Sequence, residues 1–211
     1  MWRSVPAECH ALAVIAVPDQ PSRGSGAGWF VAGYVGVAGF FVLEASTRQR
    51  GAASSLTASR DDRGTTRMIV AAYVTAAASA PLVRLVWKPR LPRAAGPMGL
   101  GLEAAGLALR AWSMRTLGRS YSRTLRVEGA KHIVESGPYR FVRHPGYAGS
   151  LLIWTGFALT SRSLPVVEGV GGLLALAYHR RVAAEEALLR RELPGYDAYS
   201  RRTKRLIPYV W

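Results

Sequence analysis

Apolar residues in this chain fall into long uncharged blocks, and the arginines sit between the blocks rather than within them. Gly24 to Leu43 is twenty residues without a charge, and Met68 to Val83 is a second such run, extended by Leu85, Val86 and Trp87 past Arg84. Roughly 20 residues of α-helix cross a ~30 Å hydrocarbon layer, so each block predicts a spanning helix. Pro97 to Met114 predicts a third, interrupted by Glu103 and Arg110. Those two are seven apart and share one helix face. Lone charges facing lipid are costly, so that face points into the bundle or a wet cavity. Pro145 to Ser161 and Leu164 to Tyr178 are a fourth and fifth run, both short for a full crossing. Only Arg162, Ser163 and Pro165 punctuate them, which predicts a tight helical hairpin. The expected fold is therefore an all-α integral membrane bundle of about five transmembrane helices.

Composition narrows the class further. The 211 residues carry 28 Lys and Arg against 13 Asp and Glu, a net charge of +15, yet 49% are apolar. A chain this apolar is not intrinsically disordered. Cys9 is the single cysteine, so neither a disulfide framework nor a cysteine-rich zinc site is available, and no metal site is expected. The basic residues flank apolar spans and no nucleic-acid motif is present, so anionic headgroups account for the charge and nucleic acid is not an expected partner. With five spans and the amino terminus outside, 21 Lys and Arg fall on the inner segments and 7 on the outer ones. That is the positive-inside bias, and it places the carboxyl terminus in the cytoplasm. Within residues 1–23, Ala11 to Val17 is a short apolar run that lacks the basic start and small-residue cleavage site of a signal peptide. Arg48 to Arg67 reads as a polar cytoplasmic loop.

Candidate chemistry crowds both ends of the hairpin. Lys131 to Gly149 reads KHIVESGPYRFVRHPGYAG. Ser136-Gly137-Pro138 is turn chemistry. Pro145 suits the first turn of a helix, so Arg143 and His144 sit at a helix amino terminus, where backbone donors favour a negative group. Beyond the hairpin comes Tyr178-His179-Arg180-Arg181-Val182-Ala183-Ala184-Glu185-Glu186, with Arg181 and Glu185 four apart on one face. Read blandly, the first cluster is interfacial anchoring and the second a surface ion pair worth a few tenths of a kcal/mol. The basic tail from Arg201 to Arg205 reads as a contact for anionic lipid.

GPYRFVRHPGYAG, a hairpin, RVAAEEALL and then PGYDAYSRRTKRLIPYVW, in this order, resemble the isoprenylcysteine carboxyl methyltransferase family of integral-membrane enzymes. The likeness covers roughly Gly99 to Trp211. It implies that S-adenosylmethionine is bound in a cytoplasm-facing pocket made by the hairpin and its flanking segments. Carried over by residue, it implies cofactor contacts from Lys131, His132, Ile133 and Val134, from Tyr139 in the GPY turn, from His144, Pro145, Gly146 and Tyr147, and from Glu185. Lys131 stands where animal members have a histidine, with His132 beside it. Arg181 matches the arginine assigned to the substrate carboxylate. The implied organisation is one domain over 1–211: an N-terminal segment (1–23), membrane spans (24–116), and a cofactor-binding and catalytic region (117–211). The implied partners are a lipophilic or prenylated acceptor and membrane lipid.

Two other enzyme readings stay open at this stage. Membrane methyltransferases acting on phospholipid amines share much of this pattern, and an amine acceptor would need a base such as His179 or Glu186. Sterol-type membrane reductases carry a similar RHPxYxG stretch but use NADPH. A non-enzymatic membrane protein, with both clusters serving as anchors, is the third alternative.

Overall fold

In a computed structural model of the chain, the residues described are 25–46, 62, 64–88, 91–118 and 133–207. All five predicted helices are present. They are α1 (Ser25–Ser46), α2 (Thr65–Val86), α3 (Ala95–Leu117), α4 (Pro145–Thr160) and α5 (Leu164–Glu192), followed by a short α6 (Tyr196–Arg202). A 3-10 turn at Gly137–Arg140 precedes α4. Among the described residues there is no strand, only an isolated bridge between Val142 and Lys204. The length and apolarity needed to cross a membrane are met by α1 and α2. The other three do not meet it: α3 is broken by its buried charges, α4 is 16 residues long, and α5 is polar in its second half. That helix also runs well beyond the predicted Tyr178, because Ala183-Ala184-Glu185-Glu186-Ala187-Leu188-Leu189 is a run of strong helix formers with no breaker until Pro194.

The outward faces of α1 and α2 are apolar. Val35 is 68% exposed and Leu85 83%, and Val31, Val42, Val74 and Leu82 are also well exposed. A helix that is hydrophobic on its outward side as well as its inward side fits a lipid surrounding. Inward, Phe30, Val37 and Phe40 of α1 join Tyr73 and Ala76 of α2, Trp154 and Phe157 of α4, and Leu174 of α5 in one core. Tyr73 stacks on Trp154 at 4.7 Å between ring centres, and the Tyr34 hydroxyl donates to the Ala77 carbonyl at 2.6 Å.

The tightest contact is between α3 and α4. Gly99 of α3 lies against Gly156 of α4, and Gly106 against Gly149, in antiparallel register seven residues apart on each helix. A side chain at Gly106 would sit 2.6 Å from the Gly149 carbonyl oxygen, and one at Gly156 would sit 2.4 Å from that of Gly99. Such close backbone approach is how helices associate where apolar side chains gain nothing by leaving lipid. The charged face of α3 points inward as expected. Glu103 is buried where Gly33 and Gly36 of α1 leave room for its carboxyl, and Arg110 is buried one heptad later.

The α4–α5 hairpin turns in three residues, with Arg162 in the left-handed region at φ 55° and its guanidinium bonded to the Leu91 carbonyl. Beyond α6 the chain folds back on the segment before α4. The Arg143 amide donates to the Lys204 carbonyl (2.7 Å) and the His144 amide to that of Arg205 (3.0 Å). Part of the basic tail is thus committed to the fold: Arg205 reaches Glu186 and Arg202 reaches Glu135. Cys9 and His10, together with residues 47–61, lie outside the described residues, and the loop expected over Arg48 to Arg67 gives way to α2 at Thr65.

Gly149→Leu should force α3 and α4 apart and cost about 1–3 kcal/mol. The expected readout is a lowered Tm in detergent, and an unchanged Tm would contradict the glycine contact.

Candidate functional site

His144 ends the approach to α4, and Pro145 takes the first helical position. Tyr147, one turn in, stacks on the His144 ring with centres 5.6 Å apart and packs against Tyr178 of α5 at 5.1 Å. The Tyr147 hydroxyl donates to the Glu185 carboxylate and accepts from Arg181 Nε at 2.9 Å. The two sequence clusters, 38 residues apart, therefore meet through a direct hydrogen bond.

They open onto a cavity of about 430 Å³. Tyr139, His144, Gly146, Tyr147, Arg181 and Glu185 all line it. The rest of the expected set lies elsewhere or is not seen. Pro145 is buried and does not line the cavity, and Val134 is half-buried away from it. Ile133 packs on the Leu193–Tyr196–Tyr199 cluster instead, on the tail side of the site. Lys131 and His132 lie outside the described residues.

The remaining walls come from elements where the sequence shows no motif. Phe40 and Phe41 of α1 and Ile69, Val70 and Tyr73 of α2 form an apolar side. Glu44, at the end of α1, ion-pairs with Arg110 (Nε to Oε1, 2.7 Å). Arg110 Nη1 also bonds the Gly146 carbonyl (2.7 Å) and the Ser150 hydroxyl (2.6 Å), and its guanidinium lies 5.0 Å over the Phe40 ring. The inward face predicted for Arg110 is therefore a cavity wall. Glu44 carried one available signal, as the first charge after the first apolar block.

Arg181 is not the exposed member of a surface pair. It is buried, and its Nη1 donates to the Asp62 carboxylate and to the Thr65 and Thr66 hydroxyls (3.1 and 3.0 Å). Asp62 is fully buried just before α2. It accepts from the Thr65 hydroxyl (3.0 Å), the Thr66 hydroxyl (2.7 Å) and the Thr66 amide (3.2 Å). Burial pushes the Asp62 carboxyl up, but the bonds from Thr66 and Thr65 and the Arg181 charge outweigh it and hold it below the usual range. Asp62 followed by Thr65-Thr66 is a helix-start pattern that sequence inspection could have marked.

The two adjacent glutamates face different ways, as residues one step apart on a helix must. Glu185 remains 26% exposed toward the cavity. Glu186 is buried. It accepts from Arg143 Nε (2.8 Å), Arg190 Nη2 (3.2 Å) and Arg205 Nε (3.2 Å), and lies 3.3 Å from His144 Nε2. The negative group expected beside the α4 start is thus the chain's own Glu186. Desolvation pushes its carboxyl up, but His144 and Arg143 overcome that and hold it down at about 2. Among the described residues, no group of three or more His, Cys, Asp or Glu is placed to hold a metal ion.

Residues 99–191, which carry α3, α4, α5 and most of these side chains, match the sequence profile of the isoprenylcysteine carboxyl methyltransferase (ICMT) family. The matched stretch is a little under half of the chain. Among relatives, the chain is 34% identical over 98 residues to the "Cobalt-zinc-cadmium resistance protein CzcN" of Cupriavidus metallidurans, covering 46% of this chain and 45% of that protein. It is 29% identical over 118 residues to a "Probable protein-S-isoprenylcysteine O-methyltransferase" of Oryza sativa, covering 54% of this chain and 61% of that one. The chain thus spans about half the length of these relatives. Among solved structures, the eukaryotic intramembrane Ras methyltransferase ICMT superposes with a TM-score of 0.62 at 17% identity, over 90% of this chain and 70% of that one. The ICMT fold is therefore shared well beyond the matched segment, through α1 and α2.

The Glu186 cluster sets an acid limit. A carboxyl held at about 2 when folded and near 4.5 when unfolded contributes its stabilisation fully above about pH 4.5, and loses it as pH falls toward 2. Glu186→Gln should flatten the fall of Tm in that window and cost about 3 kcal/mol at neutral pH, as expected when the buried guanidinium of Arg143 loses its charged partner. An unchanged acid limb would show that Glu186 is not the group responsible.

Proposed function

We propose that this protein transfers a methyl group from S-adenosylmethionine to a lipophilic acceptor at a membrane, and that the acceptor is a carboxylate of the isoprenylcysteine type. The observation that carries this reading is the convergence of Tyr139, His144, Gly146, Tyr147, Arg181 and Glu185 on one cavity of about 430 Å³. The donor set suits a cationic nucleotide. Glu185 offers a half-exposed carboxylate to an ammonium or a ribose hydroxyl, and Tyr147, Tyr178 and Phe40 offer ring faces to a positive charge. The cofactor's sulfonium would supply an electrophilic methyl group there. A carboxylate acceptor is ionised near neutral pH, so no general base is required. The chain's task is to align the acceptor oxygen, position charge and exclude water. Arg181 is the guanidinium we assign to the acceptor carboxylate, sharing it with Asp62. The apolar wall of Phe41, Ile69 and Val70 would take the lipophilic part of the acceptor. We place the chain across the membrane several times, with the cavity's polar end and the basic tail toward the cytoplasm.

An amine acceptor receives less support. His179 is exposed and does not line the cavity, and Glu186 is held at about 2 beneath its arginine partners, so neither is poised to take a proton.

Calorimetry of the detergent-purified chain should show S-adenosylhomocysteine binding and no NADPH binding, and the reverse result would favour a reductase. Glu185→Gln should weaken S-adenosylhomocysteine about tenfold or more, since a hydrogen bond to a charged group is lost. Near-normal affinity would remove Glu185 from the site.

A further inference from the structure

Three guanidiniums line the cavity, and each leans on a carboxylate of the chain: Arg110 on Glu44, Arg143 on Glu186 and Arg181 on Asp62. Glu185 is the carboxylate left over. It stands 3.9 Å from Arg181 Nε, too long for a hydrogen bond, and it accepts one from the Tyr147 hydroxyl instead.

We propose that Asp62 is a positioning residue that holds Arg181 back from Glu185, so that the Glu185 carboxylate stays turned to the cavity for a cationic ligand. This rests on the functional reading above, and it adds to the site a residue from outside the matched stretch 99–191.

A buried guanidinium demands a carboxylate partner, and among the described residues Arg181 has two within reach, Asp62 and Glu185. Asp62 wins because it is organised before the guanidinium arrives. It is fully buried, and two threonine hydroxyls and one amide at the start of α2 already point at it. It draws Nη1 toward α2, while Nε, on the side of Glu185, bonds the Tyr147 hydroxyl at 2.9 Å. Take away the Asp62 charge and, among the described residues, the nearest carboxylate to Arg181 is Glu185. Closing the 3.9 Å gap displaces the Tyr147 hydroxyl and converts a ligand-facing carboxylate into an internal ion pair. The ligand then loses its anionic contact although no residue touching it has changed.

The test is calorimetry of S-adenosylhomocysteine, whose amino group is cationic, against the full chain in detergent. Asp62→Asn keeps the shape and removes the charge, and should raise Kd about tenfold, a coupling of ordinary size for residues in one network. In a Glu185→Gln background the same substitution should change Kd less than about twofold, because the carboxylate that Arg181 would capture is gone. A loss of the same size in both backgrounds, or a lowered Tm with unchanged Kd, would overturn the proposal and leave Asp62 a merely structural residue. If Asp62→Asn does not fold, Thr65→Val removes one of the organising hydroxyls without touching the cavity lining. It should weaken binding about threefold in the native background and not in Glu185→Gln, and equal affinity in both would again overturn the idea. No binding by the unaltered chain would overturn the functional reading, and this inference with it. Normal binding by the unaltered chain and by Asp62→Asn alike would overturn this inference alone.

Discussion

One buried carboxylate fixes the frame in which everything else meets. Glu186 draws together the approach to α4 through Arg143 and His144, the second half of α5 through Arg190, and the returning tail through Arg205. A carboxylate taken out of water is tolerable only when its lone pairs are satisfied, so these partners are a condition of its burial rather than an ornament to it. Once they are in place, the preceding residue has no choice of direction. A step of about 100° around the helix turns Glu185 to the cavity and brings it onto the Tyr147 hydroxyl. The glutamate doublet therefore divides its work, one carboxylate serving the fold and the other the ligand.

Packing follows a similar division. Where α3 meets α4 there are no side chains to spare, and backbone rests on backbone at Gly99, Gly106, Gly149 and Gly156. Where the helices part, at the end of α3 nearest Arg110, the cavity begins. Arg110 belongs to both regions: it extends the glycine seam by bonding the Gly146 carbonyl and Ser150, and it closes the cavity floor through Glu44. The apolar helix α1 packs on this pair and α2 packs on α5, and residues of both supply the cavity's hydrophobic side.

Much of this was legible in the sequence because the cost of charge in an apolar setting is severe. The uncharged blocks marked the five long helices to within a few residues at most ends, and the heptad spacing of Glu103 and Arg110 told their inward direction. The far end of α5 was not legible by the same rule, since hydropathy falls at Tyr178 while helix propensity does not. At the site, His144, Gly146, Tyr147 and Glu185 were named through the family likeness, and the fold brings them to one cavity that Pro145 does not line. Asp62 and Glu44 each carried a local signal of a helix end, but their arginine partners were not readable, because pairing across 119 and 66 residues leaves no trace in the spacing. Glu186 shows the opposite failure: the sequence offered it as a base, but while Arg190 lies one turn along the same helix, Arg143 and Arg205 come from segments whose meeting only the folded chain reveals.

The brevity of α4 has one further consequence. Sixteen residues rise only about 24 Å, several ångströms less than a ~30 Å hydrocarbon layer. In the bilayer setting proposed for this chain, a rod that short cannot present both ends at the headgroups. Either the lipid thins around it or its polar start at His144 sits sunken, below the plane of the phosphates. A chamber recessed in this way lets a water-borne nucleotide and an oil-borne acceptor come together without the acceptor leaving the oil. The stubbiness of one helix would thus set the depth at which two immiscible reactants share an address.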